Sequence, residues 1–474
     1  MIVRFHVNFG LRCGRPPQSE QKRLPMSEFT ESTRQATHPV TRAPADERAA
    51  RRAVASGTFG TAMEWFDFAV YGTLSATLFP SLFFPSFDDN TAVLASFATF
   101  GAGMLARPLG GIVFGVLGDR IGRRNVLMFT LVLMGLASVF IGLLPTYAVA
   151  GILAPTLLVA LRFLQGFALG GEASGAQILV VEHAPDDRRG MMGGILAIGS
   201  PLAQTMASVV LAGLAAGLSE EAFASWGWRV PFLMGVVLLG VGMFIRRRIE
   251  ETIAFKESQQ RAEVSGVPQE RALAVLRRRP GTVLKLVLSW GASTGLFWIC
   301  VTYAVNYMTK ELGYANSVTF SLLVMANLIS VPAAIYGGRF SDRVGRKKMF
   351  IVGLTMQGLA AGTMFPIMNS MNFAASVAVV ALALCGIQIT AGTQAAFFSE
   401  ALPTSMRYTG SALGMTFAGL IFGAPIPFVA AWIFQNTSNG TLALSAIGVG
   451  LVLVSITATV LLPEHYKRAL HEDL

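Results

Sequence analysis

The sequence is poor in the residues that soluble chemistry draws on. Its 474 residues include three cysteines and five histidines, and only 14% are charged. Cys13, Cys300 and Cys385 show no metal-ligand spacing, and two of them lie in apolar runs, where a thiol packs as a small hydrophobe. That excludes a disulfide framework and a thiolate metal centre. His6, His38, His183, His465 and His471 all fall outside the apolar runs, which removes a metal site and a histidine proton relay from within them. No phosphate-cradling Gly-x-x-x-x-Gly-Lys-Ser/Thr loop is found, so ATP is no direct energy source for this chain, and no cofactor is implied. The apolar runs also hold no nucleophile with a base, which argues against a membrane-embedded enzyme.

What is abundant is apolar surface: 53% of residues are hydrophobic. Runs such as 126–144, 230–245 and 443–462 are long enough, or nearly so, to cross a hydrocarbon core that needs about 20 helical residues. Hydropathy places spans near 56–84, 92–117, 125–144, 151–175, 191–217 and 229–247, and again near 282–308, 318–337, 349–368, 374–398, 409–434 and 441–462. Positive charge tests this count independently, because cytoplasmic connectors are rich in Lys and Arg. Arg120, Arg123 and Arg124 follow span two, Arg188 and Arg189 span four, Arg343, Arg346, Lys347 and Lys348 span eight, and Arg407 span ten. The alternate connectors carry neither, apart from Arg229 and Lys310 at membrane edges. The net charge of +10 therefore reads as topology, not as a nucleic-acid surface.

The expected organisation is a cytoplasmic tail over 1–55, a six-helix bundle over 56–247, a cytoplasmic linker over 248–281, a second bundle over 282–463 and a cytoplasmic tail over 464–474. Met26 is the expected working start, with 1–25 untranslated, because the stretch before it is Arg-rich and mixed. The fold class is all-α membrane protein, with twelve transmembrane helices in two six-helix bundles.

An internal repeat supports the two bundles. Gly115-x-x-x-Asp119-Arg120-x-Gly122-Arg123-Arg124 follows span two, and Gly338-x-x-x-Asp342-Arg343-x-Gly345-Arg346-Lys347 follows span eight. Glu182-x-x-Pro185-x-x-x-Arg189 and Glu400-x-x-Pro403-x-x-x-Arg407 echo each other after spans four and ten. Two motifs in one order at nearly one offset point to duplication of a six-helix unit, with parallel halves about an axis along the membrane normal. The glycines permit close approach and a tight turn, the aspartates accept hydrogen bonds from a helix N-terminus or an Arg, and the flanking arginines are expected in water. Such loops either staple neighbouring helices or take part in gating; they carry no substrate.

The Gly-x-x-x-Asp-Arg-x-Gly-Arg-Arg loop resembles the signature of the major facilitator superfamily. Glu64-Trp65-Phe66-Asp67-Phe68 with Tyr71-Gly72, Arg107-Pro108-Leu109-Gly110-Gly111, Arg162-Phe163-Leu164-Gln165-Gly166 running to Gly170-Gly171-Glu172, and Trp226-Gly227-Trp228-Arg229-Val230-Pro231-Phe232 are similar to the metabolite:proton symporter family. The resemblance covers about 50–465 and implies proton-coupled uptake of a small polar metabolite, as in importers of shikimate, 2-oxoglutarate, citrate and proline or betaine. The short stretch after Pro463 lacks heptads, so the coiled coil of some betaine-transporting relatives is absent from it.

Ionisable groups inside a span cost about 3 kcal/mol on insertion scales, and those that persist face a cavity or pair with one another. Glu64, Asp67 and Tyr71 are spaced i, i+3, i+7, on one helical stripe about 60° wide. Arg162, Gln165 and Glu172 share a face of span four, and Arg107 lies within span two. Glu64 or Asp67 is the expected carrier of the coupling proton, with Arg107 or Arg162 as its alternating partner or as a ligand for a substrate carboxylate; Glu172 joins this set. A permanent salt-bridge network is the competing reading. The second half has no charge within its spans. Its polarity is neutral: Trp290, Thr294 and Trp298 at i, i+4, i+8, then Asn306 and Tyr307, Asn327, Gln388, Thr393 and Gln394. Tyr71, Arg107, Arg162, Gln165, Trp298, Asn306 and Gln388 are the expected substrate contacts, although such side chains also serve helix packing.

The function expected from all this is inward proton-coupled symport of an organic acid or zwitterion by a monomer in the inner membrane, its partners being protons, the small substrate and the lipid bilayer. A proton antiporter that exports a compound is the nearest alternative, and a nutrient sensor on a transporter fold the alternative of another class.

Overall fold

The computed structural model describes residues 47–247, 278–403, 406–426 and 439–466, with isolated positions between 429 and 437. The expected start at Met26, Cys13, His6, His38, His471 and the linker from 248 to 277 lie outside the described residues, as do the side chains of Asp119, Arg123 and Asn306.

Twelve long helical segments follow in order. They are α1 (Glu47–Thr77), α2 (Asp89–Ile121), α3 (Arg123–Leu143), α4 (Leu153–His183), α5 (Arg189–Gly217), α6 (Gly227–Ile245), α7 (Pro280–Trp298), α8 (Asn316–Val344), α9 (Arg346–Asn369), α10 (Phe373–Glu400), α11 (Arg407–Ala418) and α12 (Gly440–Leu461). Short wide turns extend α7 through Ile299–Tyr303 and α11 through Gly419–Gly423. No strand occurs among the described residues. Ten of the helices are long and apolar enough to cross a membrane. α1 is not among those ten, since Arg48, Arg51, Arg52, Glu64 and Asp67 lower its hydropathy, and α11 is described only in part.

Helix starts and stops follow local chemistry. The Asp88 carboxylate accepts from Thr91 N–H at 3.1 Å and caps α2, and Asn372 caps α10 in the same way through Ala375 N–H at 3.1 Å. The α2–α3 and α8–α9 turns of the repeat pivot on Gly122 and Gly345, at φ 97° and 108°. A side chain resists that conformation, which accounts for glycine at the same place in both copies. α1 begins at Glu47, ahead of the expected first span, because the alanine-rich turn after it also packs: Ala53 is buried against Leu127 and Leu179.

Small residues draw helices together. A Cβ on Gly166 would collide with the Gly103 carbonyl, and one on Gly170 with the Arg107 carbonyl, so α2 and α4 lie backbone against backbone. That approach sets Arg107 and Arg162 side by side in front of α1.

Candidate functional site

A cavity of about 160 Å³ lies between the two halves. The first half contributes Glu64, Trp65, Phe68, Arg107, Gln177 and Ser200; the second contributes Trp290, Thr294, Phe297, Trp298, Gln388 and Gln394. Contacts between the halves lie on both sides of it. At the end farther from the repeat loops, Trp65 meets Phe297 edge-on at 5.0 Å and Phe100 meets Trp298 at 5.2 Å. Toward the repeat loops, Gln177 Nε2 donates to Gln394 Oε1 at 2.8 Å, and the Tyr408 hydroxyl to the Gly171 carbonyl at 2.7 Å.

Two ion pairs stand on the α1 stripe, and they differ in access. Arg107 Nη2 donates to Glu64 Oε1 at 2.6 Å on the cavity wall, its side chain still 21% exposed. Arg162 Nη1 donates to Asp67 Oδ2 at 2.8 Å and to Gln165 Oε1 at 2.5 Å, and its side chain is only 2% exposed. Neither member of that second pair lines the cavity. The Ser138 hydroxyl from α3 also donates to Asp67. Arg162 is enclosed by rings, with its guanidinium carbon 3.8 Å from the Tyr71 centroid, 5.0 Å from Phe68 and 5.2 Å from Phe100.

The expected site residues therefore divide. Glu64, Arg107, Trp298 and Gln388 meet at the cavity, and Asp67, Arg162, Gln165 and Tyr71 form a layer behind it. Tyr71, expected at the substrate, is fully buried with its hydroxyl on Thr99, because its ring is the platform for Arg162. Glu172 is buried and accepts from the Thr130 hydroxyl at 2.8 Å, away from the cavity wall. Asn327 turns its amide onto the Leu323 carbonyl of its own helix, at 3.0 Å.

Sequence reasoning passed over Gln177, Ser200, Ser138 and Thr130. Each is a lone polar side chain in an apolar run, and that is the signal that could have found it. Three cavity residues carry a buried polar atom with no hydrogen-bond partner among the described residues: Gln388 Oε1, Gln394 Nε2 and Arg107 Nε. Orphaned groups of this kind in a polar cavity mark positions for water or a ligand.

The repeat motifs meet at the loop end of the bundle. Asp342 accepts from the backbone N–H groups of Gly190 and Met191, both at 2.8 Å, so a carboxylate of the second half caps the first turn of α5 in the first half. A Cβ on Gly338 would collide with the Gly190 carbonyl, and one on Gly115 would come within 2.9 Å of Thr409 Oγ1 at the start of α11. The acids and arginines of the second echo exchange partners across the halves: Arg407 with Glu182 at 3.0 Å, and Arg189 with Glu400 at 3.7 Å. Arg346 adds contacts to Asp342 at 2.5 Å and to Glu400 at 3.3 Å. The expectation that the flanking arginines stay in water holds for Arg120 and Arg343 and fails for Arg346, which is 1% exposed. The fold stacks α5 and α10 over it, and the carboxylates of Asp342 from α8 and Glu400 from α10 replace water.

Comparison with known proteins agrees with this architecture. The family model described as Major Facilitator Superfamily matches residues 57–426. The chain is 35% identical over 417 residues, 86% of its length and 93% of the relative's, to the inner membrane metabolite transport protein YhjE of Escherichia coli. It is 33% identical to the E. coli shikimate transporter, covering 81% of this chain and 87% of that one, and 33% identical to the proline/betaine transporter of Salmonella typhimurium, covering 83% and 80%. Among solved structures, the proton:xylose symporter XylE bound to 6-bromo-6-deoxy-D-glucose superposes with a TM-score of 0.75 at 16% identity, over 90% of this chain and 98% of that one.

Proposed function

This chain belongs to the Major Facilitator Superfamily, and from that premise we propose that it is a proton-coupled symporter taking up a small organic acid or zwitterion. The observation that carries the reading is the pair of ion pairs on one helix, one on the cavity wall and one sealed behind it. A substrate carboxylate that reaches Arg107 competes with Glu64 for the guanidinium. Asp67, held by Arg162 and Ser138, is the store for the coupling proton. Protonating Asp67 releases Arg162, so the charge state of the layer behind the cavity depends on which side has access to it.

The cavity chemistry supports the substrate class. Arg107 Nε and Gln394 Nε2 are donors suited to a carboxylate, and Gln388 Oε1 accepts from a hydroxyl or an amine. Three indoles and two phenyl rings supply the apolar wall on which a small ring or methylated amine rests. Curated relatives named for shikimate and for proline/betaine transport fit the same chemistry.

Transport proceeds by rocking of the halves 56–247 and 282–463 about this cavity. The repeat loops, 115–124 and 338–347, with the ion pairs of Glu182, Arg189, Glu400 and Arg407, form the latch on the cytoplasmic face. Both termini lie on that side, and the monomer is the working unit in the inner membrane. The test is uptake into proteoliposomes under an imposed pH gradient, on a panel of carboxylates, hydroxylated cyclic acids and betaines. Co-movement of substrate and protons is expected. Opposite movement would establish the exporter, and binding without movement the sensor.

A further inference from the structure

We infer that Phe68 is the gate through which protons pass between the central cavity and Asp67, and that the guanidinium of Arg107 holds it shut until substrate arrives. The inference rests on the proton-coupled reading above and adds the element that makes coupling obligatory.

The Phe68 ring is in cation–π contact with two arginines. Arg107 Cζ is 4.5 Å from its centroid and Arg162 Cζ is 5.0 Å. Each guanidinium belongs to a different ion pair, so one aromatic ring is the element shared by Glu64–Arg107 and Asp67–Arg162. The ring lines the cavity, whereas Asp67 and Arg162 do not. Phe100 meets it edge-on at 5.3 Å and Trp65 lies 6.1 Å away, which closes the remaining approach with apolar surface.

Asp67 lines no part of the cavity. On its far side is a space of about 10 Å³, lined by Met63, Phe66, Met134, Ser138, Pro231, Gly235 and Leu238, room for about one water. The charged and titratable groups around it are Glu64 and Tyr71 on its own helix, Arg107 from α2, and Arg162 and Glu172 from α4; α3 and α6 present Ser138 and apolar side chains. On this inference a proton leaving the cavity for Asp67 passes the Phe68 ring and the Arg162 guanidinium beside it.

The hold on the ring comes from Arg107, the cation that shares the cavity wall with it. A cation over an aromatic face is attracted to it, most strongly when it is desolvated. A substrate carboxylate that draws Arg107 toward itself removes that hold and frees the ring to swing toward the vacated side. Water then reaches Asp67 only while substrate is bound. Without substrate the ring stays clamped, and protons do not leak.

The test is substrate-free proton entry into proteoliposomes loaded with a pH-sensitive dye, under an acid-outside gradient with a potassium diffusion potential. Wild type is expected to be tight. Phe68→Ala and the near-isosteric Phe68→Leu are expected to leak protons several-fold faster, and Phe68→Tyr, which keeps the ring, to stay tight. Adding Asp67→Asn to Phe68→Leu should abolish the leak, because the route ends at that carboxylate. Leu and Ala variants as tight as wild type overturn the gate while leaving proton coupling intact. A leak that survives Asp67→Asn also overturns it, since the path then bypasses the proton store. Wild-type protein that moves no protons with any acid or zwitterion overturns the coupled reading and the gate together.

Discussion

The Arg407 guanidinium and the Glu182 carboxylate meet at 3.0 Å across the boundary between the halves, and both side chains are almost wholly buried. One comes from the start of α11 and the other from the last turn of α4, so the proposed opening of the loop end would break the pair. Breaking a buried pair by removing one partner costs about 3–5 kcal/mol, because the other charge is left uncompensated. Glu182→Gln is expected to shift the protein toward the state open at the repeat loops. Increased labelling of Ser200→Cys by an impermeant thiol reagent applied from that side would show it, and unchanged labelling would remove the pair from the latch.

The glycine contacts make a sharper test. Gly338→Ala places a methyl where the Gly190 carbonyl sits, so transport is expected to fall strongly while the protein remains in the membrane. Gly213→Ala is the control, since nothing lies within 4 Å of its added carbon. Equal uptake by the two variants would contradict a close-packed closed state.

Asp67→Asn keeps the shape of the side chain and removes its charge. Accumulation against a gradient should be lost and exchange of labelled for unlabelled substrate retained. If the variant still concentrates substrate in response to a pH gradient, Asp67 is not the proton store.

Gln388→Leu removes an acceptor from the cavity wall at little change in volume. A lost hydrogen bond of about 1 kcal/mol corresponds to roughly a fivefold rise in KM. The rise should appear for substrates with a hydroxyl or N–H donor and be absent for fully methylated betaines.

Much of the fold was legible because its constraints are local and repeated. Span lengths follow from hydropathy, and the repeat marks both halves; Gly122 and Gly345 carry the same positive φ in the two copies. The i, i+3 spacing of Glu64 and Asp67 placed both on one stripe, yet it could not say that one would face the cavity and the other turn away. That distinction depends on which neighbouring helix supplies each arginine, and α2 and α4 are brought to α1 by tertiary packing alone. The cross-pairing of Glu182 with Arg407 and Glu400 with Arg189 was hidden for the same reason. The echo showed equivalent positions, and only the assembled halves show that the equivalents swap. Arg346 looked like a solvated connector charge until α5 and α10 enclosed it.

The backbone-on-backbone contact of Gly190 with Gly338, and of Gly194 with Ala334, bears on speed as well as strength. An interface of long side chains would have to freeze their rotamers again at each closure, at about 1 kcal/mol or more per chain. Bare main chain has none to freeze. In the proposed rocking the loop end would then behave as a smooth bearing with ionic detents: the glycine surfaces would let the halves meet and part with little entropic drag, and the ion pairs around them would set how long each meeting lasts.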